Sequence, residues 1–245
     1  MPEGFTLGGY EALVGDLLAR GFQARGYADA VPTQPHLILR HDLDMSLDAA
    51  QPIAEVESGL NVKSYFFVLI RTEMYNVFSA RSVRAIRHLQ GLGHEIGLHL
   101  DASFYGDAVA SLEAGAGVEC NVLEQVTGKP VRFISFHRPA ESLLGHAELL
   151  AGRRHAYEPR FFSEMGYCSD SRGDWYHGHP LSHAAVREHR ALQLLTHPIW
   201  WVSTESSGAV AKIDQFVSER VDLLQQELAA NCEPYRDRRP VSRGS

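Results

Sequence analysis

The sequence predicts an α/β protein built on a parallel sheet, because apolar strand-like runs alternate with segments of helical periodicity. One of these runs, residues 64–70, is apolar enough to lie inside a sheet that is covered on both faces, and another, residues 37–41, leads into two carboxylates. Several predicted strands also end in aspartate or histidine. The sheet could be open or closed into a barrel, and in either case the chemistry is expected at the carboxyl ends of its strands.

The predicted elements follow one another in a regular order along the chain. Helices are predicted where apolar side chains recur every three or four residues, and Gly21 and Gly93 mark two of their ends. The predicted helices cover residues 10–20, 47–60, 79–92, 107–127 and 209–230. The predicted strands cover residues 37–41, 64–70, 94–100, 131–136, 167–169 and 192–196. No linker rich in Pro, Gly or Ser divides the chain, so we expect one domain over residues 1–234 and a flexible tail over residues 235–245.

Size and composition are those of an ordinary globular protein. The chain has 245 residues, of which 44% are hydrophobic and 22% charged. Its net charge of -7, without a basic stripe, argues against a nucleic-acid partner. There is no run of eighteen apolar residues and no charged-then-apolar leader, so we expect no membrane span and a cytoplasmic location. The three cysteines form no CxxC pair and are interpreted as buried free thiols.

Four predicted strands carry polar side chains of catalytic type at their carboxyl ends. Asp42 and Asp44 end the first of them, and their spacing puts both on one face if the strand continues. The other three ends are His99 with Asp101, His137-Arg138-Pro139, and Thr196-His197-Pro198. A single histidine at a strand end is usually structural, but four such ends in one parallel sheet converge. Because carboxylates are costly to bury without a cation, the sequence predicts a metal site at this edge.

These segments resemble, in the same order, the motifs of the polysaccharide deacetylases of the NodB-homology type, a family of carbohydrate esterases. The matching segments are Arg40-His41-Asp42-Leu43-Asp44, Gly93-His94-Glu95-Ile96-Gly97 followed by His99, Phe136-His137-Arg138-Pro139, and Leu195-Thr196-His197. The resemblance spans residues 37 to about 201. It implies a single-domain, distorted (β/α) barrel and a metal-dependent deacetylase that hydrolyses a linear amide. Its substrate would be an N-acyl, most simply N-acetyl, amino sugar or a glycan-biosynthesis intermediate.

The resemblance implies a divalent metal, with zinc as the best fit to mixed histidine and aspartate ligands. Asp44 and His99 match two of the family's ligands. The family usually has a second histidine four residues after the first, where this chain has Ser103. His137 is therefore expected to be the third ligand. Weaker candidates for that position are Asp101, His177, His179 and His183.

By the same resemblance, Asp42 is the general base that takes a proton from water and His197 the general acid that protonates the leaving amine. A histidine with this role needs a carboxylate nearby to keep it charged. Asp170 and Asp174 are both candidates for that carboxylate, and the sequence leaves the choice open.

Trp175, Trp201 and Arg138 are predicted to bind the substrate, and Tyr105 is considered beside them. Trp175 and Trp201 lie near the site segments, and aromatic faces commonly pack against sugar rings. Tyr105 is a further candidate of this kind. Arg138 could orient a carboxylate or a phosphate, since its planar fork suits both.

Two alternatives stay open at the level of sequence. The same scaffold could hydrolyse a cyclic imide or another non-peptide amide, in which case ring opening would replace acetate release. The loss of the usual histidine at Ser103 suggests instead a degenerate, non-catalytic sugar-binding module. Asp42, Asp44 and His197 favour an enzyme, because a module that only binds sugar has little need of a base and an acid.

Overall fold

The computed structural model describes residues 4–106, 108–176, 178–205 and 208–238. The helices in these ranges are α1 (Leu7–Ala19), α2 (Ala50–Gly59), α3 (Ala80–Gly91), α4 (Val109–Thr127), α5 (Pro159–Phe162), α6 (Ala184–Arg187), α7 (Ile199–Val202), α8 (Ala209–Asn231) and α9 (Glu233–Arg238). The strands are β1 (Gln23–Ala24), β2 (His36–Leu43), β3 (Tyr65–Leu69), β4 (Glu95–Asp101), β5 (Phe133–His137), β6 (Arg154–His155), β7 (Gly166–Ser169) and β8 (Leu192–Thr196).

All of these strands belong to one parallel sheet in the order β6-β5-β4-β3-β2-β8-β7, with β1 paired to the start of β2. The sheet is curled like half a barrel and surrounded by helices, so the predicted distorted (β/α) barrel is confirmed. Within the described residues no pairing joins β6 to β7, and the sheet is open between them. Every long predicted helix and strand is present, with ends that differ by a few residues.

The central strand β2 is buried along almost its whole length. Its apolar residues Leu37, Ile38 and Leu39 are at most 1% exposed, as expected for a parallel strand covered on both faces. The polar residues Arg40, His41 and Asp42 follow, before the buried Leu43 ends the strand. Apolar packing therefore fixes the strand in the middle of the sheet, and the polar end is carried to the sheet's carboxyl edge.

Parallel pairing brings the polar strand ends together. In the register of the sheet, Leu69 of β3 lies opposite His99 of β4, and Asp101 of β4 lies opposite His137 of β5. On the other side of β2, His41 lies opposite Thr196 of β8. The predicted site residues therefore come from neighbouring strands at one edge of the sheet.

The chain divides into two compact units, one up to Val202 and one from Ser203 onward. The second unit holds α8 and α9, and α9 runs to Arg238, across the start of the predicted flexible tail. Residues 239–245 of that tail lie outside the described residues, and the single domain over residues 1–234 stays a prediction. None of the helices in the described ranges is long and apolar enough to cross a membrane.

A buried polar network lies behind the strand ends and is centred on Glu57 of α2, which is fully buried. Its Oε1 accepts a hydrogen bond from the Tyr10 hydroxyl at 2.6 Å and lies 2.9 Å from His41 Nε2. Its Oε2 accepts one from the Ser64 hydroxyl at 2.6 Å. His41 in turn lies 2.7 Å from the Thr196 hydroxyl through Nδ1. The network thus ties two helices to the strands that carry the neighbouring site residues.

Replacing Glu57 with glutamine should lower the free energy of unfolding by about 3 kcal/mol, because it leaves buried donors without an acceptor. Burial raises the pKa of Glu57, but the His41 charge and the hydrogen-bond donors lower it overall, so the group is a carboxylate with every partner donating to it. Urea unfolding of the two proteins measures the difference. Glu55→Gln is the matched control on the same helix, because Glu55 is 61% exposed and its pair with His88 is worth less than about 1 kcal/mol. Equal losses in the two variants would contradict a structural role for this network.

Candidate active site

Three side chains of ligand type converge at the carboxyl edge of the sheet. Asp44 directly follows β2, His99 lies in β4, and His137 ends β5. Each offers one ligand atom, and these atoms lie within 4.8 Å of one another. Asp44 Oδ1 is 3.0 Å from His99 Nε2 and 3.5 Å from His137 Nδ1. Among the residues that the structure describes, this is the one such cluster of three, and it consists of the three predicted ligands.

The surroundings of Asp44 fit a bound cation. Its buried Oδ1 atom lies between two ring nitrogens, His99 Nε2 and His137 Nδ1, both within ion-pair distance. A buried carboxylate oxygen in this position needs a proton or a metal ion beside it. Burial raises the pKa of Asp44, but His137 and His99 hold it well below its usual range, so the carboxylate is ready to act as an anionic ligand. One carboxylate and two imidazoles are a ligand set that zinc accepts.

Asp42, the predicted base, is held by a buried ion pair. Arg40 Nε donates to Oδ1 at 3.0 Å and Nη2 donates to Oδ2 at 2.7 Å, and the two side chains are at most 3% exposed. The guanidinium also lies 4.7 Å from the centre of the Tyr157 ring and donates to its hydroxyl. Burial raises the pKa of Asp42, but the charge of Arg40 lowers it overall, so Asp42 is ionised.

Ser135 of β5 is a site residue that the sequence analysis missed. It is fully buried, and its hydroxyl oxygen lies 2.6 Å from His99 Nδ1 and donates to Asp42 Oδ1 at 3.3 Å. The sequence contained one indication, because Ser135 is a polar residue two positions before His137 and residues two apart in a strand share a face. The surrounding apolar residues made the segment look like an ordinary buried strand.

The predicted general acid His197 is paired with Asp170. Its Nδ1 lies 2.6 Å from Asp170 Oδ1, and its own backbone N–H also donates to that carboxylate. The indole N–H of Trp201 donates to Asp170 Oδ2 at 2.7 Å. Burial lowers the pKa of His197, but the charge and hydrogen bond of Asp170 raise it to about 9, with help from Asp44 and Asp42. The other ring nitrogen of His197 lies 3.9 Å from Asp44 Oδ2, so a charged imidazole faces the candidate metal site.

Asp174, the other carboxylate considered for this role, is exposed and accepts the backbone N–H of Trp175. The structure therefore resolves the choice that the sequence left open. Asp170 comes directly after β7, and β7 pairs with β8 so that Ser169 lies opposite Leu195. This register places Asp170 beside the end of β8, where His197 follows.

The weaker candidates for the third ligand have local roles. Asp101 Oδ1 accepts the N–H and the hydroxyl of Ser103 and so closes the turn after β4. The Nδ1 atoms of His179 and His183 accept backbone N–H groups two residues further on, as caps do. His177 lies outside the described residues.

The predicted substrate-binding residues differ in their exposure. Trp201 is only 2% exposed and its indole N–H donates to Asp170. Trp175 is partly exposed, and its ring packs against the ring of Trp201 with their centres 6.0 Å apart. Arg138 is exposed and has a left-handed backbone with φ of 48°, which is unusual for a residue before proline. The Tyr105 hydroxyl donates to the buried carboxylate of Glu119. Substrate contact by Trp175, Trp201 and Arg138 stays a prediction.

No family model matches the chain, and neither does any curated protein. Solved structures do match it. One is a family 4 carbohydrate esterase from Bacillus anthracis, with 18% identity, a TM-score of 0.46, and coverage of 84% of this chain and 86% of the other. A family 4 acetyl xylan esterase from Clostridium thermocellum, in complex with a cobalt ion, has 16% identity and a TM-score of 0.42 over 75% of this chain and 84% of the other. A pseudoenzyme of the same family from Bacillus anthracis has 14% identity and a TM-score of 0.44 over 77% and 61%. In structure the chain is thus similar to family 4 carbohydrate esterases, the family whose motifs its sequence resembles.

Proposed function

We propose that the protein is a divergent polysaccharide deacetylase, a metal-dependent hydrolase that removes an N-acyl group from an amino sugar or a glycan-biosynthesis intermediate. The observation that carries this proposal is the buried oxygen of Asp44 between ring nitrogens of His99 and His137. The charged His197 faces the same carboxylate. A Lewis-acid site beside a proton donor is the combination that amide hydrolysis requires.

Asp44, His99 and His137 would hold the metal, which when bound polarises a carbonyl and lowers the pKa of water. His197 then donates its Nε2 proton to the leaving nitrogen, because an amine leaves readily only when it is protonated. Asp170 keeps Nδ1 of that ring protonated and fixes its orientation. Asp42, which Arg40 keeps ionised, is proposed as the base that accepts a proton from the attacking water.

Substrate assays with metal removal test this proposal. Chelation should abolish acetate release from N-acetylated sugars, nucleotide sugars included, and added zinc should restore it. Asp44→Asn should stay at least about 1,000-fold below wild type with zinc present, since the anionic ligand is lost. Asp48→Asn is the matched control, because Asp48 is 41% exposed and pairs with Arg81.

The other outcomes of this experiment distinguish the alternatives. Zinc-dependent ring opening of cyclic imides, without acetate release, would replace the deacetylase by an imide hydrolase. Sugar binding without any turnover in the zinc-loaded protein would favour a non-catalytic module. That module has one supporting observation, since the Ser103 position is committed to a hydrogen-bonded turn with Asp101 and supplies no ligand.

A further inference from the structure

The two ring nitrogens of His99 have different neighbours. Nε2 faces the candidate metal site, 3.0 Å from Asp44 Oδ1. Nδ1 faces the opposite way and lies 2.6 Å from the Ser135 hydroxyl oxygen. The two residues are opposite each other in the register of β4 and β5, so the contact follows from the strand pairing. His99 is 2% exposed and Ser135 is fully buried, so water does not compete for this contact.

The protons in this chain of contacts can be assigned from their chemistry. A serine hydroxyl has one proton to donate, and an ionised carboxylate can only accept. A metal ion bound to Nε2 of His99 leaves Nδ1 as the ring nitrogen that carries the proton, so Nδ1 donates to the Ser135 oxygen. The Ser135 hydroxyl then has its own proton free for Asp42, whose negative charge Arg40 maintains. This chain of contacts therefore favours the tautomer of His99 that a metal requires.

We propose that Ser135 is a positioning residue that fixes the metal-binding tautomer and orientation of His99, with Asp42 acting on the imidazole through the Ser135 hydroxyl. The inference rests on the proposed metal site. Metal-ligating histidines commonly donate their second N–H to a carboxylate, a carbonyl or water. Here Asp42 Oδ2 is 3.7 Å from Nδ1, which is too far for a direct hydrogen bond, and the hydroxyl joins the two groups.

Zinc affinity, measured by competition with a chelator, tests this role. Ser135→Ala should weaken zinc binding by about 10- to 100-fold, the usual effect of removing such a partner. The visible spectrum of the cobalt-loaded variant should differ from that of the wild type, because the ring is no longer held in one orientation. Ser135→Thr keeps the hydroxyl and should retain most of the affinity. Ser64→Ala is the matched control, because it removes another buried serine hydroxyl, one that donates to Glu57.

The tautomer of His99 can also be read without metal, from the ¹⁵N shifts of its imidazole, assigned with a His99→Gln variant. The shifts are compared in an Asp44→Ala background, because the Asp44 carboxylate, 3.0 Å from Nε2, would otherwise attract a proton to that nitrogen. In this background the neutral ring should be protonated on Nδ1, and it should become a mixture when Ser135→Ala is added. Unchanged zinc affinity in Ser135→Ala, or a ring protonated on Nε2 in the Asp44→Ala background with Ser135 intact, would overturn the inference. If the wild type binds no metal, the proposed function fails, and the ¹⁵N measurement alone then decides the role of Ser135.

Discussion

Replacing His137 with alanine should abolish stoichiometric zinc binding while leaving the protein folded. The cluster offers three ligands, and the catalytic type of zinc site uses three protein ligands and keeps one position open. Loss of one imidazole leaves Asp44 and His99, which we expect to bind zinc at least about 100-fold more weakly. Because His137 sits at the end of β5 and is 13% exposed, its truncation should cost little stability. Metal content after dialysis and the unfolding midpoint measure the two effects.

His146→Ala is the control for this experiment, because His146 is exposed and outside the cluster. It should keep the full metal content. Full retention of zinc by His137→Ala would remove His137 as a necessary ligand, and the search would move to Asp101 and the segment from residue 177 to 183. Loss of zinc together with loss of the fold would assign His137 a structural role instead.

The position of this site could be predicted from the sequence because strand ends meet in a parallel sheet. Apolar runs located the strands, and the polar residues that follow them had to share one edge. His137 was predicted as the third ligand because its strand was expected beside the strand that carries His99. The register confirms this neighbourhood, with Asp101 opposite His137.

The partners of the site residues were much harder to predict, because they depend on register and side-chain direction. Nothing in the sequence distinguishes Asp170 from Asp174, and the pairing of β7 with β8 decides between them. Ser135 approaches His99 only because the two lie opposite each other on paired strands. The shortest elements, such as β1 and β6 with two residues each, are too short to produce a periodic pattern.

The burial of Arg40 was also hard to predict from the sequence. A buried arginine in the middle of an apolar strand is costly unless its charge is paired, so the sequence alone makes its burial surprising. Its partner is Asp42, two residues further along the same strand and on the same face. The positive charge that stabilises the buried Asp42 carboxylate therefore comes from Arg40 on the same strand. The pair in turn supplies the fixed anion to which Ser135 donates.

Replacing Asp170 with asparagine should lower turnover at pH 8 by about 100-fold or more and move the alkaline limb of the pH profile to lower pH. A general acid works only in its protonated form, and the charge and hydrogen bond of Asp170 are the main causes that raise the pKa of His197, to about 9. Without Asp170 the charge and the hydrogen bond that raise this pKa are lost, while burial continues to lower it. The pKa should then fall toward or below the ordinary histidine value of about 6.5, so that His197 is mostly neutral at pH 8. The pH dependence of kcat, with zinc saturating in both proteins, measures the shift.

Asp174→Asn is the matched control, because it removes a nearby carboxylate that is exposed and that, among the described residues, accepts a hydrogen bond from the backbone N–H of Trp175. Its pH profile should follow the wild type. Part of the activity of Asp170→Asn should return below pH 7, where the weaker base His197 is protonated again, and zinc content should be unchanged because Asp170 is not a ligand. An alkaline limb that stays at the same pH, with only a lower plateau, would mean that Asp170 orients His197 without setting its charge. Equal behaviour of the two variants would contradict the assignment of His197 as the proton donor, since Asp170 is the carboxylate 2.6 Å from its ring.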